Sequence, residues 1–189
     1  MDGKIVAGVA VAGIVVIALL VGLWFFGTYN HIVSLEQDVA TKQANIEAQY
    51  QRRVDLIPNV VATVKGTAGF EQETLTQLTQ LRSQWQTQPE QRIETANQIE
   101  SILSKLLVIA ENYPDLKSTE AYRDLIVELE GTENRISFAR TEYNDSVRKY
   151  NTTIKQVPGN FVSGFYGFKE KTYFESKSGA ENAPSVDFS

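Results

Sequence analysis

The 189-residue chain contains no cysteine and a single histidine, His31. Without cysteine there is no disulfide, thiolate zinc site, iron–sulfur cluster or cysteine nucleophile. One imidazole excludes sites that need two in one chain, such as paired Glu-x-x-His di-iron bundles and His-Glu-x-x-His proteases. Basic clusters are missing and the net charge is -5, so nucleic acid is not an expected partner. No Gly-x-x-x-x-Gly-Lys-Ser/Thr or Gly-x-Gly-x-x-Gly run offers a phosphate cradle, and no Gly-x-Ser-x-Gly elbow accompanies His31. Glu128, Glu130 and Glu133 are spaced so that a helix would not bring all three to one face, which reads as a solvated surface. Asn144-Asp145-Ser146 and Asn151-Thr152-Thr153 match the glycosylation pattern but fall within a helical segment, and read as chance. The expectation is a non-enzymatic protein with no catalytic residue, cofactor, metal or small-molecule substrate.

What the sequence does hold is one long apolar run. Ile5 to Phe26 contains no charged or hydrogen-bonding chain-side group apart from the indole of Trp24, and only Gly8, Gly13 and Gly22 join the apolar set. At 1.5 Å per residue these positions make a helix of about 33 Å, enough to cross a hydrocarbon core of about 30 Å. Trp24, Phe25, Phe26 and Tyr29 form an expected interfacial belt at its end. Residues 1–27 are therefore expected to be a transmembrane anchor, with the lipid bilayer as partner. Lys4 before the span, against Glu36 and Asp38 after it, leans towards a cytoplasmic N-terminus and an extracytoplasmic domain.

Residues 28–157 read as four helical segments of about 27, 29, 23 and 40 residues, with no alternating strand pattern. The expected fold class is all-α: the transmembrane helix followed by an antiparallel up-and-down four-helix bundle, since short links make neighbours antiparallel. Pro58 ends the first segment and Asp55 is placed to cap the second, which is weakened at Gly66 and Gly69. Thr87-Gln88-Pro89-Glu90 has capping-box spacing ahead of the third. Ser118 is the expected N-cap of the fourth. That segment carries a heptad seam of Tyr122, Leu129, Ile136, Tyr143, Tyr150 and Val157, with Leu125, Thr132, Ala139, Ser146 and Thr153 between. Its length should leave part of the seam uncovered by the third helix. Either a second copy covers it, which favours a homo-oligomer, or the tail folds back over it.

The tail, residues 158–189, is rich in glycine and aromatics. Phe161, Phe165, Tyr166, Phe168, Tyr173 and Phe174 are expected to dock on the protein's own bundle, on a neighbouring subunit or on the bilayer surface.

Several strings are specific: Arg52-Arg53-Val54-Asp55-Leu56-Ile57-Pro58-Asn59, Asn112-Tyr113-Pro114-Asp115-Leu116-Lys117, Thr132-Glu133-Asn134-Arg135-Ile136, and the pairs Tyr143-Asn144 and Tyr150-Asn151. With them the chain resembles the LemA family of bacterial membrane proteins over nearly its whole length. The resemblance implies a single span and a helical bundle in the bacterial inner membrane, with no established catalytic residue, and it places the domain in the cytoplasm, against the charge count. In an up-and-down bundle the turns at Pro58 and Pro114 fall at one end, so Arg52, Arg53, Asp55, Asn59 and Asp115 form a candidate interaction site; maintenance of the fold is the other explanation. The expected function is a self-assembling membrane-anchored scaffold, with a sensor or adaptor for a protein partner as the alternative.

Overall fold

A computed structural model describes residues 3–65, 72–110 and 113–174. The bend expected at Gly66 and Gly69 lies outside these residues, as do Asn112 and the tail beyond Phe174. Every regular element among the described residues is helical. They are α1 (Gly3–Asp55), α2 (Ile57–Val64), α3 (Gln72–Thr87), a short 3-10 turn (Pro89–Gln91), α4 (Arg92–Ala110), α5 (Pro114–Ser118), α6 (Glu120–Lys155) and α7 (Gly159–Tyr166).

The expected anchor and the first helical segment are one continuous helix, α1, 53 residues long. Among the described residues it is the one helix long and apolar enough to cross a membrane. Its apolar stretch is open to the surroundings, with Ile14, Leu19 and Leu23 exposed at 67%, 64% and 70%. A helix apolar all round and unburied by protein has the composition and length of a membrane span. The helix ends where Pro58 approaches, because proline cannot supply the next backbone N–H. Pro58 then sits in the first turn of α2, where no bond is lost.

Three expected caps differ. Leu56, not Asp55, precedes α2 and makes no side-chain bond, while Asp55 accepts a bond from Gln51 Nε2 at 2.8 Å. Thr87 bonds back to Ser83 O at 2.9 Å, so its hydroxyl is committed to the end of α3 and leaves the next turn uncapped. Thr119, not Ser118, caps α6 by accepting the Tyr122 N–H, because Ser118 closes the short α5 through Asp115 O.

The chain divides into two compact units, residues 1–43 with 140–189, and residues 44–139. The 44–139 unit buries stripes from α1 (Ile46, Tyr50, Val54), α3 (Leu78, Leu81, Trp85), α4 (Ile99, Leu103, Leu106) and α6 (Leu125, Leu129, Ile136). Trp85 is closed in by Tyr50, with ring centroids 6.0 Å apart, and its indole N–H donates to Gln51 Oε1 at 2.6 Å. A second cluster joins Val64, Leu75, Ala110, Leu116 and Tyr122.

The core of the other unit is Ile32 and Val39 of α1, Val147, Tyr150 and Ile154 of α6, and Val162 of α7, with Tyr143 and Phe168 packed against it. The heptad seam therefore shifts along α6. Tyr122, Leu125, Leu129 and Ile136 are buried as expected, but Tyr143 is only partly so and Val157 is 69% exposed. Val147 and Ile154 take their places in the core. A straight α-helix drifts about 20° per heptad, so four heptads rotate a strict seam by nearly one residue. The distal part of α6 is thus covered within the chain, and the self-association argued from an open overhang loses that surface.

After α6 the chain turns at Pro158 and α7 returns against its end. Gly159 permits this, because a Cβ there would stand 1.9 Å from the backbone oxygen of Thr153. Gly167, at φ 77°, closes α7 in the left-handed conformation that favours glycine, its N–H bonded to Ser163 O at 2.8 Å. Gly159→Ala is expected to weaken the seating of α7 by about 2 kcal/mol. Amide exchange should accelerate at residues 160–168 while the 44–139 unit keeps its protection.

Candidate functional site

α6 carries the pair Tyr-Asn twice, at 143–144 and 150–151, and seven residues of helix rise about 10.5 Å. An asparagine amide has both a donor and an acceptor, so it can pair with the N–H and C=O of one residue as a neighbouring peptide would. Both asparagines do this. Asn151 Nδ2 donates to Lys171 O at 2.9 Å and Asn151 Oδ1 accepts from Lys171 N at 2.9 Å. Asn144 Nδ2 donates to Phe174 O at 3.0 Å and Asn144 Oδ1 accepts from Phe174 N at 2.7 Å. Between them the Tyr143 hydroxyl donates to Thr172 O at 3.1 Å. Three residues of a polyproline-II-like chain advance about 9.3 Å, close to the rise between the asparagines. Residues 168–174 are thereby strapped antiparallel along α6.

Side chains lock the register. Lys171 Nζ donates to Glu36 Oε1 of α1 at 2.6 Å and stands 5.7 Å from the centroid of the Tyr150 ring. Arg140 covers the Phe174 ring at 4.9 Å. The hydroxyl of Tyr150 is buried without a hydrogen-bond partner. The bond to Glu36 holds the Lys171 ammonium above its ordinary pKa, with burial pulling the other way. Burial raises the Tyr150 phenol, helped by the negative Glu36 and opposed by Lys171; burial likewise raises Tyr143, again against Lys171. All three shifts favour the protonated forms in the folded state. Their contribution to the clasp is complete below the ordinary values of 10.0 for tyrosine and 10.5 for lysine, and is lost as pH rises through the raised folded values.

Of the tail aromatics expected to dock, Phe168 packs on the core and Phe174 lies under Arg140. Phe161, Phe165 and Tyr173 remain exposed, at 65%, 76% and 48%. Main-chain bonds to α6, rather than burial of every ring, hold this part of the chain. Tyr166 stacks 4.5 Å from Tyr29 and is still 45% exposed. In the expected interfacial belt, Phe25 and Tyr29 turn towards α7 while Trp24 and Phe26 face outward. His31 is exposed and lines shallow grooves with Thr153.

Within the 44–139 unit, one of the five residues of the expected turn site, Arg53, is buried. Arg53 is 4% exposed and pairs with Glu133 of α6 and, at 3.6 Å, with Glu100 of α4. Arg52, Asp55, Asn59 and Asp115 are exposed, and none is bonded to this cluster. A groove of about 290 Å³ opens beside Arg53, Glu100, Leu103, Leu129 and Glu133. With two carboxylates against it, Arg53 ties α1, α4 and α6 together instead of offering a free cation. Glu133, expected on a solvated face, is thus one end of an inter-helix pair. Among the described residues no group of three or more His, Cys, Asp or Glu side chains could hold a metal ion.

The partners Glu36, Glu100, Glu133, Asn144, Asn151 and Lys171 were not candidates from sequence. The available signal was the seven-residue repeat of Tyr-Asn, which placed two amides beside the seam.

Asn151→Asp keeps an acceptor but loses the donor and sets a carboxylate against Lys171 O. It should cost about 1–2 kcal/mol of clasp stability, read as faster exchange of the Lys171 and Phe174 amides. Arg53→Ala should lower the unfolding free energy of the detergent-solubilised chain by about 2–3 kcal/mol, less than for a fully buried pair because Glu133 is half exposed. Arg52→Ala should change it by no more than about 0.5 kcal/mol. Denaturant titration of the two variants side by side checks the contrast.

The LemA family profile matches residues 42–188. Magnetosome protein MamQ 2 of Paramagnetospirillum magneticum is 24% identical, over 88% of this chain and 73% of its own length. Magnetosome protein MamQ of Magnetospirillum gryphiswaldense is 25% identical, over 79% of this chain and 65% of its own. Protein LemA of Metamycoplasma hominis is 28% identical, over 77% and 69%. With a match running from the middle of α1 through the strap, the chain belongs to the LemA family.

Proposed function

We propose that this protein is a single-pass, membrane-anchored helical scaffold that does no chemistry, self-associates, and organises the bacterial inner membrane or a complex attached to it. The observation that carries the proposal is α1, which presents an exposed apolar surface from Val9 to Leu23 and continues as a helix into the protein's two cores. The magnetosome relatives support a place at a membrane. The buried stripes on α1, α3, α4 and α6 support an antiparallel four-helix bundle within residues 28–157, followed by the tail 158–189.

Support for self-association comes from an exposed apolar stripe on α6. Val127 and Phe138 are 70% and 66% exposed, and eleven residues bring them back to nearly the same face of the helix, with Gly131 between. Single exposed apolar residues are ordinary, but two large ones on one face make a surface another helix can cover, with the Arg135 guanidinium lying over Gly131 between them. Mass photometry of the full chain in nanodiscs or mild detergent should show dimers or larger species. Phe138→Asp should weaken their formation at least tenfold without changing helix content. A chain that stays monomeric at every concentration would remove self-assembly from the proposal.

A further inference from the structure

α7 is eight residues long and has two unlike faces. Gly159, Val162 and Ser163 are buried, and the Ser163 hydroxyl is bonded to Ile154 O at 3.0 Å, so this face is fixed to the end of α6. The other face carries Phe161 and Phe165, one turn apart and 65% and 76% exposed, with Gly164 beside them. Among the described residues, the edges of Phe25 and Tyr166 touch the Phe165 ring, and both phenylalanines still stand largely open to the surroundings.

Their position identifies what covers them. The Phe165 ring centroid is 6.0 Å from that of Phe25, and Tyr166 is 6.0 Å from Phe25 and 4.5 Å from Tyr29. Phe25 belongs to the last turn of the apolar run. Any placement of α1 that brings Phe25 to the edge of the hydrocarbon brings the Phe165 ring within 6.0 Å of that level. The exposed face is therefore continuous with the lipid-facing surface of the span, beside the outward-facing Trp24 and Phe26. Interfacial helices place an apolar face about 5–10 Å into the boundary between headgroups and acyl chains, and aromatic rings favour that depth.

We infer that α7 is an interfacial helix that inserts Phe161 and Phe165 into the bilayer surface beside the end of the span. The inference rests on the reading of α1 as membrane-spanning. It gives the protein a second lipid contact, fixed to the end of α6.

Because the chain has no cysteine, single-thiol variants of the full-length protein can be spin-labelled without background. Labels at Phe165→Cys and Gly164→Cys report on the face. The second variant keeps both phenylalanines, and a side chain there meets no neighbour within 4 Å. Val15→Cys reports on the span and Glu128→Cys on water. In vesicles of phosphatidylcholine with a minor share of phosphatidylglycerol, oxygen should reach the labels at 164 and 165 while a nickel chelate is excluded several-fold relative to 128, at a depth shallower than 15. If 164 and 165 are as open to nickel as 128 while 15 stays protected, α7 lies in water and the inference is overturned with the span intact. Shielding of both sites from oxygen and nickel alike would mean that protein covers the face, which also overturns it. Nickel access at 15 would remove the span itself, and the inference with it.

Discussion

A helix in hydrocarbon must keep its backbone bonded to itself, since no water is available to replace a broken bond. α1 runs unbroken from Gly3 to Asp55, as the proposed span requires, and the rest of the structure depends on it. The same rod that carries Ile14 and Leu19 in its exposed stretch supplies Ile32 and Val39 to one core and Ile46, Tyr50 and Val54 to the other. There is no flexible linker between the apolar stretch and the folded units. Only when Pro58 makes helix continuation impossible does the chain turn, and by then α1 has contributed to both cores.

The polar interactions follow a related economy. Lys171–Glu36 joins the strap to α1, and Arg53 joins α1 to α4 and α6. Each adds specificity to an apolar contact already made nearby. In both, the cation is held by carboxylates, and the raised phenols of Tyr143 and Tyr150 stay neutral through the physiological range.

Much of the fold was legible in the sequence because it rests on periodicity. The apolar run, the proline stops and the first half of the α6 seam could be read from residue spacing. The second half could not be placed, since seven does not divide evenly into turns of 3.6 residues and the error accumulates until Val147 replaces Tyr143 at the centre of the core. The cap of α6 was misplaced by a residue because Thr119 and Ser118 can each serve, and the geometry of α5 decides between them. The expected turn site fared differently. Arg52 and Arg53 are adjacent and chemically alike, and only the facing carboxylates, distant in sequence, make one a buried tie and the other a solvated side chain.

The strap has a further consequence for how its sequence can vary. Every bond that Asn144, Asn151 and Tyr143 make with it ends on a main-chain atom of residues 171, 172 or 174. Apart from Phe168, Lys171 and Phe174, whose side chains meet the core, Glu36 and Arg140, such a clasp recognises the path of a polypeptide and is indifferent to its letters. Proline at 171 or 174 would be rejected for want of an N–H, whereas residues 172 and 173 can be exchanged without loss of any of these bonds. A segment whose spelling looks loose can therefore remain fixed in register, with its specificity written on the helix it lies against.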